Sequence, residues 1–270
     1  MKEKADLYYR EVAQYYDEDS RHFEQRRDTN EILEFIRQDF RGFADEIGPK
    51  SMLEIGCGTG TDLVYFGARD YTELVCGMDI SPEMVRISQK NIRESGQEMQ
   101  VEVGSVEDIP RLFKDQKFAM IYVFFGALNT VQDLERAANI LFNQLEDDGH
   151  LLLTFVNKWY VLGILKPLLK LKFGLAFRRL RKVWGGYSLD RFLPSKALSP
   201  SEILSAFKDG KLIKRKGYSI LYPAWYEFPK YRNRWSFLRK TWSWDQGLNK
   251  TPMWSWGEYG LYLFHRDKDQ

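Results

Sequence analysis

Apolar positions along the chain switch between two periods. From Asp28 to Ile47, the residues Ile32, Ile36, Phe40, Phe43 and Ile47 fall three or four apart, which lays one apolar stripe along a helix. Asp28 with Glu31 gives that helix a capping-box-like start, and Gly48-Pro49 ends it. Residues 51–55 then form a short apolar strand that runs into Gly56-Cys57-Gly58-Thr59-Gly60, with a helix from about Thr61. A second strand covers 74–79. Ser81 as N-cap and Pro82 at the first helical position open a helix to about Glu94. Residues 101–103 make a third strand. Residues 118–124 make a fourth, nearly all apolar, as a parallel strand buried on both faces should be. A helix over 131–146 leads to a fifth strand at 151–156. After a long interruption, a helix starts at Ser199-Pro200-Ser201-Glu202, residues 212–221 are strand-like, and 258–265 alternate as a last strand.

Strands alternating with helices predict an α/β fold with a doubly wound, mostly parallel sheet, because crossovers between parallel strands are right-handed. The expected units are a leader and helix (1–47), a ligand-binding core (48–157), an insertion (158–198), and a C-terminal part of the sheet (199–270) that carries a second insertion (223–256).

Composition narrows the class. The chain has 270 residues, of which 44% are hydrophobic and 29% charged. That suffices for a real core and excludes disordered, collagen-like and coiled-coil classes. No run reaches the roughly 18 uninterrupted apolar residues of a membrane span. The start of the chain, 1–6, is charged and lacks a signal-peptide core. Two cysteines, Cys57 and Cys76, are too few for a disulfide framework, so they are expected to be reduced and the location cytoplasmic. The net charge of +2 hides an asymmetry: residues 157–198 hold ten Lys/Arg and one acid, Asp190. All eight tryptophans lie at or after Trp159, six of them within 223–256.

The glycine-rich turn is the strongest local signal for chemistry, since glycine admits left-handed backbone and close approach of a ligand. A phosphate-binding loop of the Gly-Lys-Ser/Thr kind fails, because Thr59-Gly60-Thr61 has no lysine. A dinucleotide fingerprint fits poorly. The third glycine is misplaced, and Glu54 stands where a pyrophosphate would be repelled. That glutamate suits a cationic ligand.

Four motifs in order carry a family resemblance: Glu54-Ile55-Gly56-Cys57-Gly58-Thr59-Gly60, the acid Asp79 closing the second strand, the 104–110 loop, and the 118–129 strand and loop. Together they resemble the class I S-adenosylmethionine-dependent methyltransferases over about residues 50–157. The resemblance implies a Rossmann-like, seven-stranded sheet with the last strand antiparallel, S-adenosyl-L-methionine as cofactor, and methyl transfer. It implies that Gly56, Cys57, Gly58 and Gly60 pack under the methionine part and that Glu54 meets its ammonium. Asp79 would take both ribose hydroxyls, Ile80 and Met84 would flank the adenine, and Ser105, Val106 and Glu107 would meet its edge. Val123 and Phe124 would lie beside the reacting methyl. Ser105 and Ala119 depart from the family's usual aspartates. The leader, with Tyr8-Tyr9, Tyr16-Asp17 and Arg26-Arg27, resembles the segment that closes over the cofactor, with Tyr16 and Arg26 as its contacts.

No residue pattern marks a metal site, and the general-base candidates are Tyr122, Asn129 and His22. Residues 157–183 interleave leucine and aromatic side chains with cations, which suits a cap over a bulky, largely apolar or lipid-linked acceptor, or peripheral contact with an anionic membrane. Nucleic acid is the weaker partner. An anionic group of the acceptor would meet Arg178, Arg179 or Arg181. Two other functions stay open at this level: a non-catalytic cofactor-binding scaffold or regulatory subunit, and an NAD(P)-dependent oxidoreductase.

Overall fold

The computed structural model describes residues 2–188 and 191–267, with the side chains of 2–6, 21, 22 and 25–28 outside that description. The leader is itself helical: α1 (Lys2–Thr29) is followed at once by α2 (Glu31–Ile47). The boundary lies two residues beyond the expected one. Asn30, extended at φ −98°, accepts the Leu33 N–H with its side chain and caps α2, while Asp28 falls within α1. Gly48 ends α2 in left-handed conformation at φ 62°.

The sheet strands are β1 (Ser51–Ile55), β2 (Leu74–Asp79), β3 (Gln100–Val103), β4 (Phe118–Val123), β5 (Leu145–Val156), β6 (Lys211–Tyr218) and β7 (Tyr259–His265). Their order is β3-β2-β1-β4-β5-β7-β6. β1 to β5 run parallel, and β7 runs against both of its neighbours. The helices between and after them are α3 (Thr61–Gly67), α4 (Pro82–Glu94), α5 (Ile109–Leu112), α6 (Leu134–Gln144), α7 (Val161–Leu168), α8 (Phe173–Ala176), α9 (Pro200–Ala206), α10 (Phe228–Tyr231) and α11 (Trp235–Leu248).

Successive strand residues point to opposite faces, and the core divides accordingly. Leu53, Ile55, Ile121 and Val123 pack with Leu141 of α6 and Phe207 on one face. Met52, Met120, Tyr122 and Phe124 pack with Ile36 and Phe40 of α2 and Phe66 of α3 on the other. Three expected boundaries shift. Asp133 caps α6 through the Arg136 N–H, so the helix starts at Leu134 rather than at 131. β5 begins at Leu145, earlier than 151, because the acidic stretch 146–149 bulges out between the pairs Phe118–Leu145 and Met120–His150. β6 stops at Tyr218. Ser219 turns left-handed, and the Asp245 carboxylate gathers the N–H groups of Ile220, Leu221 and Tyr222 at 2.9, 2.7 and 3.1 Å.

The described part of 158–198 holds α7, α8, a 3-10 turn at Arg178–Leu180 and an irregular return, pinned from inside. Arg179 is buried, donates to Glu258 Oε1 at 2.9 Å and to Asn157 O at 3.1 Å, and lies 4.7 Å from the Trp184 ring centroid. Arg178 donates to the carbonyls of Trp184 and Ser188. Both were expected to face an anionic acceptor group. Instead they hold the insertion together, because its interior carbonyls and the buried Glu258 need donors. Two tryptophans of 223–256 serve packing as well. Trp242 meets Phe35 edge-on at 4.7 Å, and Trp254 meets Tyr262 at 5.8 Å. Among the described residues, no helix is long and apolar enough to cross a membrane.

Candidate active site

A pocket opens at the carboxyl ends of β1, β2, β3 and β4, where the strand order reverses and where open parallel sheets bind ligands. Its free interior is about 140 Å³, below the roughly 300–1,000 Å³ usual for small-molecule sites.

The floor is the glycine turn. The N–H groups of Gly56 and Cys57 both donate to Met78 O, at 2.8 and 3.0 Å, which binds the turn to β2. Gly56 and Gly58 have φ of 73° and 52°, and both line the pocket. Gly60, expected under the cofactor, has another task. A Cβ there would lie 2.3 Å from Ser88 Oγ, so this glycine lets α3 pack against α4 and is absent from the wall.

Asp79 ends β2 with its carboxylate fixed by the backbone. Oδ2 accepts the Gly58 N–H at 2.8 Å, and Oδ1 accepts the Ser81 N–H at 2.9 Å. Each oxygen retains a further lone pair. Burial pushes this carboxyl up to about 6, against the pull of those two N–H donors. Ile80, Met84, Gly104, Ser105 and Val106 continue the wall. Asp108 is committed to Ser105 in a capping box. Glu107 accepts the Tyr9 hydroxyl at 2.5 Å through Oε1, while its Oε2 has no hydrogen-bond partner.

Deeper in, Glu54 is buried, and burial raises its carboxyl well above the usual carboxylate range. The Asp62 charge adds to the shift, and Arg37 opposes it. Arg37 and Arg41 of α2 both bind the Asp62 carboxylate. Arg37 also lines the pocket, lies 4.7 Å from the Phe125 ring centroid, and keeps an Nε without a hydrogen-bond acceptor. The far wall is Phe124, Phe125, Leu128 and Val131. Phe125 sits in left-handed backbone at φ 56° and Gly126 at φ 80°. This turn follows a strand that reads as uniformly apolar.

The leader closes the pocket. Tyr9, Tyr16 and Phe23 recur every seventh residue on α1, and all three line it. The helix is latched at both sides. Asp17 Oδ1 accepts Ser81 Oγ at 2.5 Å and the Glu83 N–H at 3.1 Å, which places an acid at the N-terminus of α4. Asp19 pairs with Arg191 at 2.5 Å, and Tyr8 donates to Pro194 O at 2.7 Å.

Several sequence candidates lie elsewhere. Tyr122 is fully buried on the α2 face, beside its register partner Glu54, and donates to it at 3.1 Å. Burial and the Glu54 charge raise its phenol well above the ordinary value, the reverse of what a base needs. Asn129 is consumed by structure. It donates to the carbonyls of Val156 and Lys196 and accepts the Val156 N–H at 2.8 Å. Val123 faces the opposite core from Phe124, as strand alternation requires. His22 and Arg26 lie outside the described side chains. Cys57 lines the pocket, but burial raises its thiol far above its usual value, so it is no nucleophile. Among the described residues, none of 158–198 or 223–256 belongs to the pocket wall. Sequence reasoning missed Arg37, Phe23 and Phe125. Only the seven-residue spacing of Tyr9, Tyr16 and Phe23 was legible in advance.

Residues 52–149 match the family model of a methyltransferase domain. Over that stretch the chain is similar to the class I S-adenosylmethionine-dependent methyltransferases. An uncharacterised protein of Methanocaldococcus jannaschii is 28% identical over 172 residues, 63% of this chain and 62% of that one. The juvenile hormone acid O-methyltransferase of Bombyx mori is 30% identical over 123 residues, 43% of this chain and 42% of its own length. The match thus spans less than two thirds of either relative. The fold is that of the N-methyltransferase NodS from Bradyrhizobium japonicum, solved with S-adenosyl-L-homocysteine, at a TM-score of 0.57 and 11% identity, covering 94% of this chain and 98% of that one. The cofactor of this methyltransferase family is S-adenosylmethionine, and the pocket residues fit it. They offer a fixed carboxylate for a diol, apolar walls for a base, an acid for an ammonium, and an Arg37 Nε that lies 3.6 Å from Glu34 Oε2 and makes no hydrogen bond.

Proposed function

We propose that the chain transfers a methyl group from S-adenosylmethionine to a bulky, largely apolar small-molecule acceptor. The observation that carries this reading is Asp79, clamped between the Gly58 and Ser81 N–H groups in the wall of a pocket whose far side is aromatic and aliphatic. When bound, the cofactor supplies an electrophilic methyl on a sulfonium sulfur. Asp79 would accept both ribose hydroxyls. Ile80, Met84 and Val106 would enclose the adenine, with Ser105 and the spare Glu107 oxygen at its edge. Glu54 would meet the ammonium, whose charge would draw the carboxyl back to its ionised form. Arg37 would hold the carboxylate. Phe124, Phe125, Leu128 and Val131 would seat the acceptor and exclude water, with Tyr16 and Phe23 closing from above.

Burial holds the Tyr9 and Tyr16 phenols neutral, with the Glu107 hydrogen bond adding to Tyr9. We therefore propose that the acceptor reaches this site already nucleophilic, and that positioning provides most of the rate.

Calorimetric titration tests the cofactor half. S-adenosylhomocysteine is expected to bind, and reduced nicotinamide dinucleotides are not. Binding needs the charged Asp79, so affinity should be level above its pKa and fall as pH drops through about 6. One unit below that pKa about nine-tenths of the group is protonated, a loss of roughly tenfold. Affinity unchanged between pH 7.5 and pH 5 (values of about that size) would remove Asp79 from the ribose site.

A further inference from the structure

The tip of the 158–198 insertion presents to solvent what folding ordinarily hides. Leu165, Leu169, Leu171, Phe173 and Phe177 are all exposed, Leu169 at 87% and Leu171 at 77%. None belongs to either core cluster, and none lines the pocket. Contiguous apolar surface of this kind marks an interaction face.

The turn between α7 and α8 holds these side chains out. The Lys172 N–H donates to Pro167 O and the Leu171 N–H to Leu168 O, both at 2.9 Å. These are the two bonds of a Schellman turn, and Leu171 is its left-handed residue at φ 55°. Glycine or asparagine ordinarily occupies that position, because a Cβ there is strained. A leucine at this point strains the backbone and adds no packing to the fold.

Cations surround the apolar tip. Lys170, Lys172, Arg181 and Lys182 are exposed, and none of the four makes an ion pair among the described residues. Residues 157–189 contain no Asp or Glu.

We propose that this face docks on a bilayer containing anionic lipids, with the leucines and phenylalanines among the upper acyl chains and the four cations at headgroup level. Charge complementarity selects this occupant. A second copy meeting the same face about a two-fold axis would bring two sets of unneutralised cations together. Docking does not depend on the reaction proposed above. It adds the place where a bulky apolar acceptor would be met.

The test is co-sedimentation of the full chain with phosphatidylcholine vesicles, with and without phosphatidylglycerol. The wild type is expected to pellet with the phosphatidylglycerol vesicles only, and less as salt rises. Leu171→Gly relieves the left-handed strain while deleting the apolar side chain. Its melting temperature should be equal or higher and its S-adenosylhomocysteine affinity unchanged, with vesicle partitioning down roughly tenfold. The combined Lys170→Gln, Lys172→Gln, Arg181→Gln and Lys182→Gln variant should lose about a hundredfold or more. Methyl transfer to a detergent-dispersed acceptor should survive in both, so that failure of docking and failure of the reaction are read separately. Three outcomes would overturn the proposal: a wild type that ignores phosphatidylglycerol, a Leu171→Gly variant that pellets like wild type, or a wild-type dimer that Leu171→Gly converts to monomer without any vesicle binding.

Discussion

Replacing Asp79 with alanine is expected to weaken S-adenosylhomocysteine binding by one to two orders of magnitude. A hydrogen bond to a charged group contributes about 1.5–3 kcal/mol, and the side chain would supply two acceptor oxygens to one diol. The substitution also strips the Gly58 and Ser81 N–H groups of their acceptor. The glycine turn and the start of α4 should therefore loosen around the site. Titration calorimetry on folded variant, checked by circular dichroism, measures the effect. Affinity within about threefold of wild type would mean that the ribose does not meet this carboxylate.

The largest stability effect is expected at Arg179, well away from the pocket wall. Arg179→Met would leave Glu258 fully buried without its charged partner. Removing one member of a buried ion pair typically costs about 3–5 kcal/mol. Burial already raises the Glu258 carboxyl, so at lower pH it protonates more readily and the loss should shrink. Adding Glu258→Gln to Arg179→Met should recover part of the stability, since the uncompensated charge is gone. Urea denaturation of the two single variants and the double variant gives the coupling. If Arg179→Met matched wild type, the guanidinium would be free to serve a ligand, as its place in a basic stretch first suggested.

That case shows where reading the sequence stops. Alternating periods and cap residues located β1, β2, α4 and the glycine turn to within a residue or two, because those signals are local. Ser81 and Pro82 begin α4 whatever surrounds them. The acid closing β2 and the turn after β1 were legible for the same reason. Arg179 was misread because its partner lies 79 residues away, at Glu258 just before β7. Arg37 was overlooked because only the packing of α2 on the sheet brings it to Asp62 and the pocket. Tyr122 and Val123 were drawn into the site by closeness in sequence to Phe124. Strand alternation and burial place Tyr122 under Glu54 and Val123 on the other face. Within the tryptophan-rich stretch, Trp242 packs on Phe35 of α2 and on Tyr222, and Trp254 packs on Tyr262 of β7, contacts that no local signal announces.

Methyl transfer to an apolar small molecule can be followed by the label itself. The protein is incubated with S-adenosylmethionine labelled on the transferable methyl and with a cellular lipid extract, and the organic phase is then counted. Label is expected to pass into the organic phase, matched by released S-adenosylhomocysteine and lost in the Asp79→Ala variant. Tight cofactor binding with no label transferred, from either the lipid extract or its water-soluble counterpart, would contradict the account and leave a binding protein without turnover.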